Sequence, residues 1–178
     1  MPATDRLILP ALHALKLCAV TQVVLAARPV CEAFLYFSDH YPPAVGCDCS
    51  CAQPPGGQGT LWVRYVQGQT DLPDIAMPMD CTTGRIGFTI EVGVWRCAPM
   101  GEYRNAPIAP GETWPEGMMH DLAALRRAFI CCDWFAEQDM RPRITTMNPI
   151  GPSGGCVGAA VRAELTGADC RCPQGVHA

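Results

Sequence analysis

The residues that could do chemistry here are cysteines. There are twelve in 178 residues, and the run GCDCSCAQPPGGQG (Gly46–Gly59) places Cys47, Cys49 and Cys51 within five positions. A second close pair, Cys170 and Cys172, lies near the end of the chain, and Cys81 sits in a loop rich in proline. Closely spaced thiolates can hold zinc, form disulfides or exchange electrons. The one-residue spacings differ from the C-x2-C pairs of structural zinc knuckles, and no histidine falls close to a cysteine. Two readings stay open for the six loop cysteines. Cys47, Cys49, Cys51, Cys170 and Cys172 are weak candidate metal ligands. The same five with Cys81 are candidate disulfide partners that would staple long loops, with no pairing legible. Cys18 and Cys132 are expected to be buried packing residues on helix stripes. Cys131 lies beside Cys132, where a helix would keep the two from facing each other.

Other catalytic signatures are missing from the sequence. It has no P-loop, G-x-G-x-x-G, H-E-x-x-H or G-x-S-x-G. GPSGG (Gly151–Gly155) leads into a strand rather than a helix, so it reads as a turn and not a phosphate cradle. The reading is of a non-enzymatic protein with no cofactor.

The surrounding elements follow from periodicity. Residues 5–26 form an apolar helix capped by Thr4 or Asp5 and ended by Arg28-Pro29. His13, Lys16, Thr21 and Gln22 interrupt that run and Pro10 lies inside it. A buried amphipathic helix is therefore expected rather than an export signal or membrane span. Val30–Asp39 has strand composition that HYPPAVG quickly breaks. Strands are expected over 60–68, 85–97 and 156–165, with a helix over 115–138 entered through Pro115. In the second strand Phe88, Ile90, Val92 and Val94 alternate with Gly87, Thr89, Glu91, Gly93 and Trp95. That predicts one buried face and one exposed, glycine-rich face, suited to a close backbone approach or a ring lumen. RPRITTMNPIGPSGG reads as a connection, and 166–178 as a loop-like tail. The order predicts a single α+β domain over 1–178, an antiparallel or mixed sheet flanked by two helices.

Composition narrows the partners. Net charge is −4, with Lys16 the single lysine against twelve arginines, so tight direct contact with nucleic acid is not expected. Arg126 and Arg127 are expected on a solvated or interface face, offset by Asp121 and Asp133. The loop Ala98–Pro115 is of a length that marks functional or interfacial loops in a compact domain.

TLWVRYV, Cys81, FTIEVGVWRCAPMG, DLAALRRAFICCDWF and PIGPSGGCVGAAVRAEL, taken in order, resemble head-to-tail connector proteins of siphovirus-type phages of actinobacteria. The lean is to the lambda-like tail terminator class. The resemblance spans roughly Cys47–Leu165, and its specific parts are EVG-x-x-RCAP and GP-x-GGCVG. Ala160 and Arg162 depart from it, where a tryptophan and a more apolar pattern would be expected. It implies an α+β fold and a homo-oligomeric, hexameric ring that caps the tail tube. It also implies contacts with the tail tube protein and the head-side connector or stopper protein. DNA would pass through the pore without specific binding, and no membrane is involved. Glu102, Tyr103, Arg104, Trp114, Arg126 and Arg127 are the interface candidates. The implied location is the tail and neck region of the virion, after assembly in the host cytoplasm. Head-completion (stopper) or adaptor is the alternative role. Outside that class stand a secreted cysteine-rich binding protein and a metal or thiol-redox enzyme built on Cys47–Cys51.

Overall fold

A computed structural model describes residues 5, 7–43, 57–69, 85–97, 114–153 and 155–168. The elements run α1 (Ile8–Leu25), β1 (Glu32–Tyr36), β2 (Thr60–Gln69), β3 (Arg85–Cys97), α2 (Trp114–Ile130), α3 (Asp133–Glu137), β4 (Arg143–Ser153) and β5 (Cys156–Ala168). The five strands form one mixed sheet in the order β1-β2-β3-β5-β4. β1 pairs parallel with β2, and the other neighbours are antiparallel. The α+β class holds.

Alternation decides which side of the sheet the helices cover. Leu61 and Val63 of β2, Phe88, Ile90, Val92 and Val94 of β3, and Ala159, Val161, Ala163 and Leu165 of β5 point one way. They meet Leu12, Leu15, Ala19 and Val23 of α1 and Leu122, Leu125 and Phe129 of α2 in one core. Burying each such side chain stabilises the fold by roughly 1.5–3 kcal/mol before entropy is counted. Asp5 caps α1 by accepting from the N–H groups of Leu7, Ile8 and Leu9 at 3.0, 3.0 and 2.6 Å.

Several expectations are corrected. The segment 143–153, expected as a connection, is the edge strand β4. Prolines 149 and 152 obscure its period, yet an outermost strand tolerates them because its free edge needs no donors. The last strand continues to Ala168 instead of ending at Leu165. The second helix stops at Ile130. Cys132 is extended (φ −87°, ψ 102°) and caps the short α3, and the left-handed Asp139 (φ 52°) ends that turn. Cys18 and Cys132 are not separate packing residues. A disulfide joins them across 114 residues, with Cα atoms 5.7 Å apart. Cys31, Cys97 and Cys156 are disulfide-bonded too, while Cys131 is free and exposed.

The glycine-rich side of β3 is also corrected: it is buried, not exposed. Thr89, Glu91 and Trp95 are each under 5% exposed, as are Trp62 and Arg64 of β2. The glycines are there because indoles cover them. Trp62 is paired with Gly93 and Trp95 with Gly158. A Cβ at Gly93 would lie 2.1 Å from the Trp62 ring, and one at Gly158 would lie 2.8 Å from the Trp95 ring. The close approach comes from the neighbouring strand of the same sheet.

The amphipathic expectation for α1 holds on one side only. Ala11, Leu12, Leu15, Ala19 and Val23 are buried, but Leu17, Val24 and Leu25 on the far side are 66, 52 and 73% exposed. By length and composition alone α1 could cross a membrane. Here it supplies a large share of the sheet's core.

Candidate functional site

Two arginine–carboxylate triads stand out, one at each face of the sheet. The first ties the helix layer to the sheet. Arg28 follows α1, Arg96 ends β3 and Asp121 lies on α2, and all three are at most 3% exposed. Arg28 donates to Asp121 through Nε at 2.9 Å and Nη2 at 3.1 Å. Arg96 donates to the same carboxylate through Nε at 3.1 Å and Nη2 at 2.9 Å. Arg96 also donates to the carbonyl oxygens of Arg28 at 2.8 Å, Pro29 at 3.1 Å and Gln58. Burial alone would raise the Asp121 pKa. The charges and hydrogen bonds of Arg96 and Arg28 outweigh it and hold the carboxyl below its ordinary value. Asp121 therefore does not offset Arg126 and Arg127, as its place in the sequence suggested.

The second triad crosses the other face. Register puts Arg64, Glu91 and Arg162 side by side on β2, β3 and β5. Arg64 Nε donates to Glu91 Oε1 at 3.2 Å, and Arg162 Nε donates to Oε2 at 2.7 Å. The Arg64 guanidinium also donates to the carbonyls of Ser38 and Asp39 and lies 4.8 Å from the Tyr41 ring centroid. Arg162 is one-third exposed, so this triad opens to the surface at one end. Nearby, the indole N–H groups of Trp62 and Trp95 and the Thr89 hydroxyl are buried without hydrogen-bond partners.

Chemically, both triads have two guanidiniums per carboxylate, and each carboxylate oxygen is held by at least one of them. That engages every oxygen of both carboxylates, which suits clamping three elements together. Among the described residues, no group of three or more His, Cys, Asp or Glu side chains is placed to hold a metal.

The residues singled out from sequence are placed unevenly. Cys47, Cys49, Cys51, Cys81, Cys170, Cys172, Glu102, Tyr103 and Arg104 lie outside the described residues. Trp114 is the first residue of α2. Arg126 and Arg127 are exposed on α2, as expected. The triads were not anticipated. A signal was present: Arg64, Glu91 and Arg162 are charged positions in the middle of otherwise apolar strands. Three charges at mid-strand, each on the face opposite the core residues, can be expected to meet once the register is known.

No protein-family model matches the chain, and no curated protein sequence matches it.

Proposed function

We propose that the chain is a non-enzymatic structural subunit of a phage virion at the head–tail interface, most specifically the tail terminator. In this role it forms a homo-oligomeric ring on the tail tube, hexameric as in the lambda-like class. The ring stops tube growth and receives the head-side connector, and DNA passes through it without specific binding. The observation that carries the reading is the outer side of α1. Leu17, Val24 and Leu25 are exposed on a helix whose other side is fixed in the core. A closed ring needs such a surface, because each subunit offers one patch to a different patch on the next. The α+β sheet with its helices on one face and the ordered segments noted above support the same class.

Negative-stain microscopy and light scattering of the purified protein test this. A ring is expected, and the pair Leu17→Ser and Leu25→Ser is expected to reduce it to smaller species while thermal unfolding stays nearly unchanged. A strictly monomeric protein absent from virions overturns the reading. Loss of the protein from a phage separates the roles. Over-long tails mark a terminator, and empty heads with normal tails mark the stopper or adaptor.

One observation favours a second reading, a secreted cysteine-rich binding protein. Cys18, Cys31, Cys97, Cys132 and Cys156 are all disulfide-bonded, and disulfides persist best in oxidising compartments. In that case α1 would stay in the mature protein, since Cys18 links it to Cys132 and its buried side fills the core. Detection in the culture medium of the producing cell, with α1 intact, would favour this reading over the virion.

A further inference from the structure

The two outer strands of the sheet differ in a way that fits one to the other. β4 is open along its whole length: none of its 11 residues is buried and most are exposed. β1, at the opposite edge, has no buried residue either. Among the described residues no further strand lies beyond either one. Each edge therefore presents a row of backbone N–H and C=O groups along which another strand can be added. On β4, Pro149 and Pro152 interrupt the second half of that row, but Arg143–Asn148 holds no proline.

Direction, length and charge all match between the two edges. β1 runs with β2, and the antiparallel pairings from β2 through β3 and β5 leave β4 running opposite to β1. Copies set side by side in one orientation thus place β4 of one antiparallel to β1 of the next, with the helix-covered faces on the same side. β1 has 5 residues. Arg143–Asn148 offers one more, and Thr145 is the extra residue of a bulge. Opposing Glu32–Tyr36 to Asn148–Arg143 around that bulge sets Ala33 and Leu35 beside Met147 and Ile144 on the helix side, and Phe34 beside Thr146 on the other. The β1 edge carries the exposed Glu32 and Asp39, and the β4 edge the exposed Arg141 and Arg143. Pairing like edges would set acid against acid or arginine against arginine, whereas unlike edges offset them.

We infer that β4 of one copy pairs antiparallel with β1 of the next, so that the sheet runs on from subunit to subunit. The inference rests on the ring reading above and names the two different patches that a heterologous contact requires. The helix layer follows the sheet. α1 packs over β1 and β2, and α2 over β5 and β4, so the joint lays α1 beside α2 of the neighbouring copy. Exposed apolar side chains stand on both helices, Leu17 and Leu25 on α1 and Met119 and Ile130 on α2.

The test places a photo-cross-linking amino acid at Thr145 or at Asn148, both exposed, in the full-length chain and maps the cross-linked peptides after assembly. Thr145 is expected to capture residues near Tyr36 of another subunit, and Asn148 residues near Glu32. In a second arm, Asp39→Arg and Arg141→Asp are each expected to raise the concentration for half-assembly about fivefold at low salt, and the double exchange to restore it. Rings whose cross-links fall elsewhere, or join β4 to β4, overturn the edge pairing and leave the ring reading standing. A chain that stays monomeric overturns both.

Discussion

Trp62 covers Gly93, its directly opposed neighbour on the next strand, so closely that a Cβ at residue 93 would lie 2.1 Å from the indole. The contact explains why a fully buried strand keeps a glycine at its centre. Gly93→Ala forces the indole or the strand to move and is expected to cost about 1–3 kcal/mol. Chemical denaturation followed by tryptophan fluorescence measures this. Gly151→Ala is the control. Nothing lies within 4 Å of a Cβ there, so its effect is expected to stay within about 0.5 kcal/mol. Equal effects at the two positions would contradict the packing described.

Asp121 sits between Arg28 and Arg96 with almost no exposure, so Asp121→Asn takes from two buried guanidiniums the counter-charge they share. A loss of about 3–5 kcal/mol is expected. The pH dependence has a definite sign. The folded-state pKa is depressed below its unfolded value. The stabilisation is therefore complete above the unfolded carboxylate range, near pH 4, and is lost as pH falls through the folded-state value. The gap between parent and variant is expected to be flat from about pH 5 to 7 and to narrow in more acid solution. A gap that widened on acidification would refute the assignment.

Glu91 bridges Arg64 and Arg162 across three strands, yet Arg162 is one-third exposed. Removing the two arginines one at a time is therefore expected to give unequal results. Arg64→Met removes a buried partner that also holds the Ser38–Asp39 carbonyls and contacts Tyr41. Arg162→Met removes one that water can partly replace. The first is expected to destabilise by a few kcal/mol and the second by about 1 kcal/mol, as urea unfolding would show.

The Cys18–Cys132 bond closes a loop of more than a hundred residues between α1 and the α2–α3 junction. Cys18→Ala with Cys132→Ala is expected to lower stability by about 2–4 kcal/mol, mainly by freeing the unfolded chain. Calorimetry of the double variant checks this. An unchanged midpoint would mean that the bond adds nothing to the fold.

Local pattern was enough to determine much of this protein. The strict alternation of Phe88, Ile90, Val92 and Val94 specified a strand with a core face. The apolar run over residues 5–26 specified a helix with a buried side, and Asp5 was one of its two candidate caps. These features depend on neighbours a few positions away, and period and capping report them directly. Other features depended on register and distance. Alternation alone could not say that the second face of β3 would be buried, because that depends on Trp62 and Trp95 lying over Gly93 and Gly158 from adjacent strands. The edge strand β4 was hidden because prolines are compatible with a strand only when no further strand needs their missing donors. Arg28, Arg96 and Asp121 are 25 to 93 positions apart, and Cys18 and Cys132 are 114 apart. Only the packing of two helices on one sheet face brought them together, because the charges and sulfurs could be paired only once the core had decided which segments are neighbours.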